Sequence, residues 1–509
     1  MPVYLYLILV YLLVLFVLNI IRSKKVKSSE DFMVAGRKLS LTTMVFTLIC
    51  TWIGSGTFIA GAEYAFYAGW SSLWMPAGAW IGILLIYFLA AKIRTFGQYT
   101  VGDILEVRYG KFARLFGAIA IIIAFTTIVS YQFRAGGYIL NIVTDGKISL
   151  AEGQLITACF VIIFTALGGM IAVAYTDLPN GIIILLACII SVPFVVLGSG
   201  GWHHAKDILP AGHFALFSSD FGRFPALKAI GYCFSTLLLL MGIQSMYQKF
   251  YAAKTPKEAK RAVALWIFGT IIVETVVVAI AVYATSYNFE KNMGWDPRSM
   301  VLQAGRHIVP PYIGVLLLGA ACAVVLSTGM NYLLSPSTNI IRDIYQRFIN
   351  KEDNSKKLVA LQKIFVVIIG FFAFLMIFIP TVLKSQISIL RYSYFAYTIY
   401  GVAITPALIA ALSWKRATKA AGVVSILVGT VSTIFFEWLF PLLFPQYMYG
   451  AKSQVGSEIF GTDPFGIPSI FFSFTLSILS LIIISYLTKP PREEDIAILF
   501  PKAEKTVKP

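Results

Sequence analysis

Thr51-Trp52-Ile53-Gly54-Ser55-Gly56-Thr57 is the stretch that decides the fold of this 509-residue chain. It lies near the middle of residues 41–69, an apolar run long enough to cross a lipid bilayer as one helix. Two glycines and three hydroxyl side chains at that depth predict that the helix is interrupted there. An interruption frees backbone carbonyls that lipid cannot hydrogen-bond, so a group inside the protein must bind them. We expect that group to be a cation together with its co-substrate.

The composition predicts an all-α integral membrane protein. Hydrophobic residues make up 58% of the chain and charged residues 13%, and the mean hydropathy is +0.80, which leaves too little polar surface to cover a soluble globule. The chain reads as a single transmembrane domain, residues 1–509. About thirteen apolar runs are long enough to span, at residues 3–21, 41–69, 72–91, 115–143, 152–173, 179–199, 227–248, 264–287, 308–334, 358–382, 392–413, 420–442 and 466–488.

The net charge of +17 is explained by membrane topology. With the amino terminus outside and the carboxyl terminus cytoplasmic, 30 of the 41 Lys and Arg residues fall in cytoplasmic segments, 10 fall in outer loops, and Arg134 lies within a span. This excess is the positive-inside bias of a cell-membrane protein, plasma or inner, and it implies no nucleic-acid partner. The first run carries no basic residue ahead of it, so we expect a retained helix and not a cleaved signal peptide.

A second segment with site-like chemistry is residues 321–345, in which Ser327 and Thr328 bring two hydroxyl oxygens into an apolar span. Sodium, a hard cation, prefers uncharged or anionic oxygen ligands. The alternative is that each hydroxyl bonds the carbonyl one turn back in its own helix, which is routine in membrane helices. Glycines also interrupt the first helix of each of two five-helix blocks, at Gly54 and at Gly242, a pattern typical of inverted-repeat transporters.

Taken together, these segments resemble the sodium:solute symporter family. The matching pieces are the broken helix around residues 51–64, the stretch 165–177, the segment 242–254 and the Ser327-Thr328 helix that ends at residues 342–345. The resemblance implies a five-plus-five inverted repeat, residues 41–200 and 227–413. One extra helix, residues 1–22, precedes the repeat; two peripheral helices, residues 420–488, and a cytoplasmic tail, residues 489–509, follow it.

The resemblance also implies a sodium ion, Na+, bound between the broken helix and the Ser327-Thr328 helix. Carried over by position, its ligands are the carbonyls of Leu48, Thr51 and Val324 and the hydroxyls of Ser327 and Thr328. Asp177 matches a family aspartate near the ion-exit route, which some members use for a second sodium. This chain has Met330 and Asn331 where the second-site hydroxyls would lie, so one sodium per cycle is favoured. The alternative for Asp177 is a solvated cytoplasmic residue that caps the next helix.

Candidate substrate contacts lie near the break and on neighbouring helices: Trp52, Ser55, Thr57, Gln132, Arg134 and Tyr247. An arginine within a span is costly unless it is paired or wetted, and its guanidinium fork matches a carboxylate. Arg134 therefore indicates a carboxylate-bearing solute, such as an organic acid, an amino acid or a pantothenate- or sialate-like acid. The alternative is a structural ion pair with Glu63 or Glu274.

Three other functions stay open on the sequence. A choline-like quaternary amine could be held by aromatic side chains such as Trp52, Tyr131 and Tyr247. Proton coupling is open because Glu63 and Glu274 lie in spans, and a membrane solute sensor is the non-transporter alternative. An enzyme is not expected, because the spans contain no nucleophile with its base and no metal cluster. The expected partners are the solute, sodium and the bilayer; a monomer would suffice for transport.

Overall fold

A computed structural model describes residues 2–24, 26, 28–218, 223–350, 355–384, 388–452 and 459–500. Within those ranges, eleven helices are long and apolar enough to cross a membrane, which confirms the all-α membrane fold predicted from the composition. One small exception is an antiparallel hairpin of β1 (Met448–Lys452) and β2 (Ile459–Pro464). The buried ion pair between Lys228 and Asp463 fastens this hairpin to the helices.

In chain order, the helices are α1 (Pro2–Ser23), α2 (Ser29–Val34), α3 (Leu41–Trp52), α4 (Gly61–Ala68), α5 (Trp74–Phe96), α6 (Val101–Tyr109), α7 (Lys111–Val143), α8 (Leu150–Gly198), α9 (Gly201–Ile208), α10 (Pro225–Gly242), α11 (Gln244–Ala252), α12 (Pro256–Glu290), α13 (Met300–Gln303), α14 (Pro311–Asn339), α15 (Ser355–Val382), α16 (Ile389–Ala403), α17 (Thr405–Ser413), α18 (Lys419–Ile434), α19 (Phe440–Leu443), α20 (Ser469–Leu487) and α21 (Glu493–Ile496).

The count of thirteen separate spans is not confirmed. The run 41–69 is divided into α3, a π-helical segment Gly56–Ala60, and α4, and helical structure then continues into α5. The runs 152–173 and 179–199 are joined in α8, whose 49 residues would extend roughly 70 Å if straight, far beyond the bilayer core. The chain within α8 turns at Gly169, where φ is 54° and ψ is −156°.

The turn at Gly169 decides where Asp177 lies. A Cβ at this position would sit 2.6 Å from the Phe32 ring, so the turn packs closely enough on α2 to require glycine. The sequence placed the reversal some five to nine residues later, around residues 174–178. Because the observed turn comes earlier, Asp177 falls inside the second half of α8 and is fully buried.

Two helices are interrupted at corresponding glycine-containing stretches. The first break separates α3 from α4, and the second separates α10 from α11 at Ile243, whose backbone is extended. The Tyr400 hydroxyl bridges the second break, accepting from the Gln244 N–H at 2.8 Å and donating to the Gly242 carbonyl at 2.9 Å. Among the spanning helices, α14 and the α16–α17 pair are the most buried, while α1 and α20 expose most of their apolar side chains.

Candidate ion site and solute cavity

The break in the first interrupted helix begins just after Trp52. Ile53 leaves the helix with an extended backbone, φ −71° and ψ 105°, and its N–H makes a last helical hydrogen bond to the Ile49 carbonyl at 2.8 Å. The carbonyls from Cys50 onward therefore have no hydrogen-bond donor within α3. The Ser55 N–H donates to the Gln132 side-chain oxygen at 3.1 Å, so α7 braces the unwound stretch.

The hydroxyls of Ser327 and Thr328, on α14, face these carbonyls. Thr328 Oγ1 lies 3.0 Å from the Cys50 carbonyl and 2.9 Å from the Ile53 carbonyl, and Ser327 Oγ lies 3.4 Å from the Cys50 carbonyl. All three contacts are buried. The hydroxyls thus face the carbonyls at the break and do not close on their own helix as the alternative interpretation supposed.

This cluster contains more oxygen acceptors than protons. The Thr328 hydroxyl carries one proton, and a carbonyl carries none, so only one of its two carbonyl contacts can be a well-aligned hydrogen bond. In the other contact, lone pairs of the Thr328 hydroxyl oxygen and of a carbonyl oxygen face each other and repel. A small cation placed among these oxygens would remove that conflict, and hydroxyl and carbonyl oxygens are the ligands a hard cation prefers.

The carbonyls that meet the hydroxyls are those of Cys50 and Ile53, whereas the sequence predicted the carbonyls of Leu48 and Thr51 as sodium ligands. Because α3 extends to Trp52, the Leu48 carbonyl falls within the regular helical hydrogen bonding. The Thr51 hydroxyl also turns back into α3, donating to the Thr47 carbonyl at 2.6 Å.

Gly54 allows the close approach of α14 to the break. A Cβ at this position would lie 2.8 Å from Thr328 Cγ2 and 3.0 Å from Thr328 Oγ1. Ordinary van der Waals contact begins near 3.4 Å, so any side chain at position 54 would push Thr328 away. The glycine that interrupts the helix also makes room for the hydroxyl.

Asp177 supplies a negative charge directly behind Ser327. Its carboxylate accepts hydrogen bonds from the Ser327 and Thr47 hydroxyls and from the Asn331 amide at 3.2 Å. Asp177 is fully buried between α3 and α14, so it is not the solvated helix cap that the sequence left open. The hydroxyl proton of Ser327 is directed at Asp177, which leaves the Ser327 oxygen lone pairs free for a cation.

A buried lysine completes this network. The Lys249 ammonium donates to the Asn331 side-chain oxygen, while the Asn331 amide nitrogen donates to Asp177. Lys249 follows an apolar run of the sequence, and its side chain is fully buried. Asn331 therefore presents N–H groups, and not a free oxygen, to the carboxylate.

A small cavity opens beside the break. It has a volume of about 30 Å³, and Trp52, Thr57, Gly61, Glu274 and Tyr397 are among its lining residues. A cavity of that volume has room for water but not for an organic solute, so it must widen to admit one. Gly56 also lines it, and a Cβ there would overlap the Tyr397 hydroxyl oxygen.

Glu274 is the one acidic side chain among the residues that line this cavity. It is 3% exposed, on α12, and each carboxylate oxygen accepts one indole N–H: Trp52 at 2.9 Å and Trp80 at 2.7 Å. Both donors are neutral. In the described ranges, none of the ion pairs within 4.0 Å includes Glu274.

The predicted substrate residues do not all lie at the cavity. Trp52 and Thr57 line the cavity, and Ser55 and Gln132 hold the break itself. Tyr247 lies on α11, where its hydroxyl donates to the Met241 carbonyl at 2.9 Å and closes the second break.

Arg134 is not among the residues that line the cavity. Its guanidinium donates to the Thr381 hydroxyl at 2.8 Å and lies 5.6 Å from the centre of the Tyr138 ring. Positions 132 and 134 are about 200° apart around a helix, so Arg134 points to α15 when Gln132 faces the break. The pair with Glu63 is not formed: Glu63 lies 3.5 Å from Arg298 and accepts the Leu390 N–H at 3.0 Å.

Several residues of the site were missed by the sequence reasoning. Thr47, Trp80 and Tyr397 are an ordinary hydroxyl and two ordinary aromatics in apolar runs, so the sequence carries no signal for them. Lys249 was visible as a charge directly after an apolar run. A charged residue inside a span is a functional candidate by default, and that rule, which marked Glu274 for ion pairing or proton coupling, would have found Lys249 as well.

Comparison with known proteins bears on this arrangement. A family model described as the sodium:solute symporter family matches residues 32–429. The high-affinity proline transporter PutP of Bacillus subtilis (strain 168) is 25% identical over 483 residues, covering 92% of this chain and 95% of that protein. The high-affinity choline transporter 1 of Torpedo marmorata is 26% identical over 389 residues, covering 71% of this chain and 65% of that protein.

A solved structure shares the fold. It is the substrate-bound, outward-open state of a Na+-coupled sialic acid symporter, with a TM-score of 0.76, 17% sequence identity, and coverage of 96% of this chain and 98% of that one. At this identity the likeness establishes the architecture alone.

Proposed function

The chain belongs to the sodium:solute symporter family, and from that premise we propose that it imports a small organic solute together with sodium by alternating access. It is a multi-pass membrane transporter and not an enzyme. The observation that carries the proposal is the convergence of the Ser327 and Thr328 hydroxyls on the Cys50 and Ile53 carbonyls at the helix break.

The proposed sodium ligands are two carbonyls and two hydroxyls. Cys50 and Ile53 provide the carbonyls, in place of Leu48 and Thr51, and Ser327 and Thr328 provide the hydroxyls. The Val324 carbonyl, one turn before Thr328 on α14, is the fifth candidate. Asp177 stands behind Ser327, where its charge favours a cation without occupying a ligand position.

One sodium per cycle is the proposed stoichiometry. Asn331 turns its N–H groups toward Asp177, and the Lys249 ammonium already supplies a positive charge beside it. One sodium crossing 100 mV releases about 2.3 kcal/mol, and a tenfold inward gradient adds about 1.4 kcal/mol. Together these terms would sustain roughly a 500-fold gradient of a solute with no net charge.

The proposed solute bears a carboxylate. Proline and sialic acid, named for two of the similar proteins, are both carboxylates. Arg134 is the candidate partner, since its Nε is buried without a hydrogen-bond acceptor. The alternative is a quaternary amine, supported by the choline transporter and by the aromatic Trp52 and Tyr397 at the cavity. Proton coupling through Glu274 is a third alternative, and uptake that does not depend on sodium would favour it.

In the proposed cycle, sodium binding holds the broken helix against α14 and favours the outward-open state. Solute then enters the widened cavity next to Thr57 and Trp52, and the outer side closes. Release toward the cytoplasm begins with sodium, because the cytoplasm normally holds little of it. The contracted cavity corresponds to a state without room for solute.

The test uses purified full-length protein in two formats. A thermal-shift screen of organic acids, amino acids and quaternary amines, each with sodium or potassium, should show stabilisation by one class in sodium only. Proteoliposomes with an inward sodium gradient should then accumulate that solute. Stabilisation without accumulation would indicate a sensor, and accumulation that is equal in potassium would reject sodium coupling.

A further inference from the structure

Glu274 is a buried acid that the sodium site does not use. Its carboxylate lies at the cavity, and both oxygens are held by indole N–H groups from different helices, Trp52 on α3 and Trp80 on α5. Two fixed donors orient the carboxylate, but each oxygen accepts one of them and keeps further lone pairs free.

The charge balance of this acid is incomplete. A carboxylate within a membrane span is costly unless a positive charge accompanies it, and neutral N–H donors offset only part of that cost. The other buried acids of the described ranges have cations near them: Glu63 has Arg298, and Asp343 has Arg114. Asp177 has Lys249 one hydrogen-bonded amide away. Glu274 is the exception, and it faces a cavity.

The cavity wall around Glu274 is aromatic. The Trp52 and Tyr397 rings, whose centres are 6.4 Å apart, both line it. Aromatic faces attract cations, and the attraction is stronger where water is excluded. A carboxylate fixed among aromatic rings is suited to a positively charged nitrogen, whether it carries N–H groups or only alkyl groups.

We propose that Glu274, oriented by Trp52 and Trp80, is the counter-charge for a positively charged nitrogen of the transported solute. This inference rests on the proposed symporter function and narrows its solute class to substituted ammonium compounds. An amino or imino acid would place its ammonium at Glu274, while a quaternary amine would place its trimethylammonium group there. A carboxylate without such a nitrogen would leave Glu274 uncompensated and should bind poorly.

The first arm of the test needs no mutation and uses solute pairs of one shape. Proline is compared with cyclopentanecarboxylate, and choline with 3,3-dimethylbutan-1-ol, as competitors and stabilisers of the wild-type protein in sodium. One of the two pairs should contain the tighter-binding solute. In that pair we expect the member with the charged nitrogen to bind about tenfold to hundredfold more tightly than its isostere. Equal binding of both members, or preference for the isostere, would overturn the proposal.

The second arm changes the charge on the protein. Glu274→Gln should weaken binding of the favoured charged solute about tenfold to hundredfold and leave binding of its isostere nearly unchanged. Glu274→Asp keeps the charge and should retain more of the preference. The matched control is Glu290→Gln, at the exposed end of the same helix, where Glu290 pairs with Lys291. Unchanged affinity in Glu274→Gln, with an altered pH dependence of uptake, would assign Glu274 to a proton and overturn the proposal.

Sodium binding is measured separately, as thermal stabilisation without organic solute. Glu274→Gln should keep the wild-type sodium response, since Glu274 does not contact Ser327 or Thr328. If the wild-type protein shows no thermal stabilisation by sodium, that result counts against the proposed sodium site and not against the role of Glu274. If Glu274→Gln folds poorly, the comparison of the solute pairs on the wild-type protein still tests the proposal.

Discussion

Gly54→Ala tests the sodium site through packing alone. The new methyl group would lie 2.8 Å from Thr328 Cγ2, so the two groups must separate by about 0.6 Å to reach ordinary contact at 3.4 Å. Thr328 is 2% exposed on a packed helix, and rotating it to escape would carry Oγ1 away from the Cys50 and Ile53 carbonyls. Overpacking of this kind costs about 1–3 kcal/mol.

If that cost falls mainly on the sodium-bound geometry, the sodium concentration for half-maximal uptake should rise roughly 5- to 150-fold. The assay is solute uptake into proteoliposomes over a sodium titration. The matched control is Gly319→Ala on α14, where a Cβ would meet nothing within 4 Å and should leave the sodium dependence unchanged.

A second substitution tests whether the effect of Gly54→Ala comes from the contact with the Thr328 methyl group. Thr328→Ser removes the methyl group that lies nearest to the new Cβ but keeps the hydroxyl. Gly54→Ala combined with Thr328→Ser should therefore recover most of the lost sodium affinity. A folded Gly54→Ala protein with wild-type sodium dependence would refute the reasoning, and so would a double variant no better than Gly54→Ala.

Three further predictions concern charges and hydroxyls. Ser327→Ala with Thr328→Val should raise the sodium concentration for half-maximal uptake by about tenfold or more; Ser337→Ala, whose hydroxyl bonds its own helix at Leu334, is the control and should not. Asp177→Asn should lower sodium affinity about tenfold or more, because it removes the negative charge behind Ser327 and makes the hydrogen bond from Ser327 no longer charge-assisted. An unchanged sodium-induced thermal shift would contradict this. Arg134→Lys should abolish uptake if Arg134 binds the solute carboxylate, because lysine lacks the two-point fork; normal uptake with unchanged affinity would reject that role.

The sequence predicted the helix break because glycines and hydroxyls in an apolar run are a local signal. The same is true of the second break at Gly242, and of the paired hydroxyls Ser327 and Thr328. Each feature follows from a few adjacent residues and from the bilayer as solvent. The membrane fold class was predictable for the same reason.

The parts that the sequence could not decide depend on register and on tertiary packing. Every residue has a carbonyl, so nothing in the composition distinguishes Leu48 from Cys50, and only the end of α3 at Trp52 decides which carbonyls are free. A solvated position was one of two interpretations that the sequence left open for Asp177, whereas the chain turns at Gly169 and continues helical through residue 177. The partners of Glu63 and Arg134 required the three-dimensional arrangement.

The central claim is that sodium binds where the broken helix meets Ser327 and Thr328. The most direct measurement is binding of radioactive sodium to the purified wild-type protein and to the Ser327→Ala, Thr328→Val double variant, with Ser337→Ala alongside. Saturable binding of one sodium per protein in the wild type and in Ser337→Ala, lost in the double variant, is the predicted result. Equal sodium binding by the double variant would contradict the account.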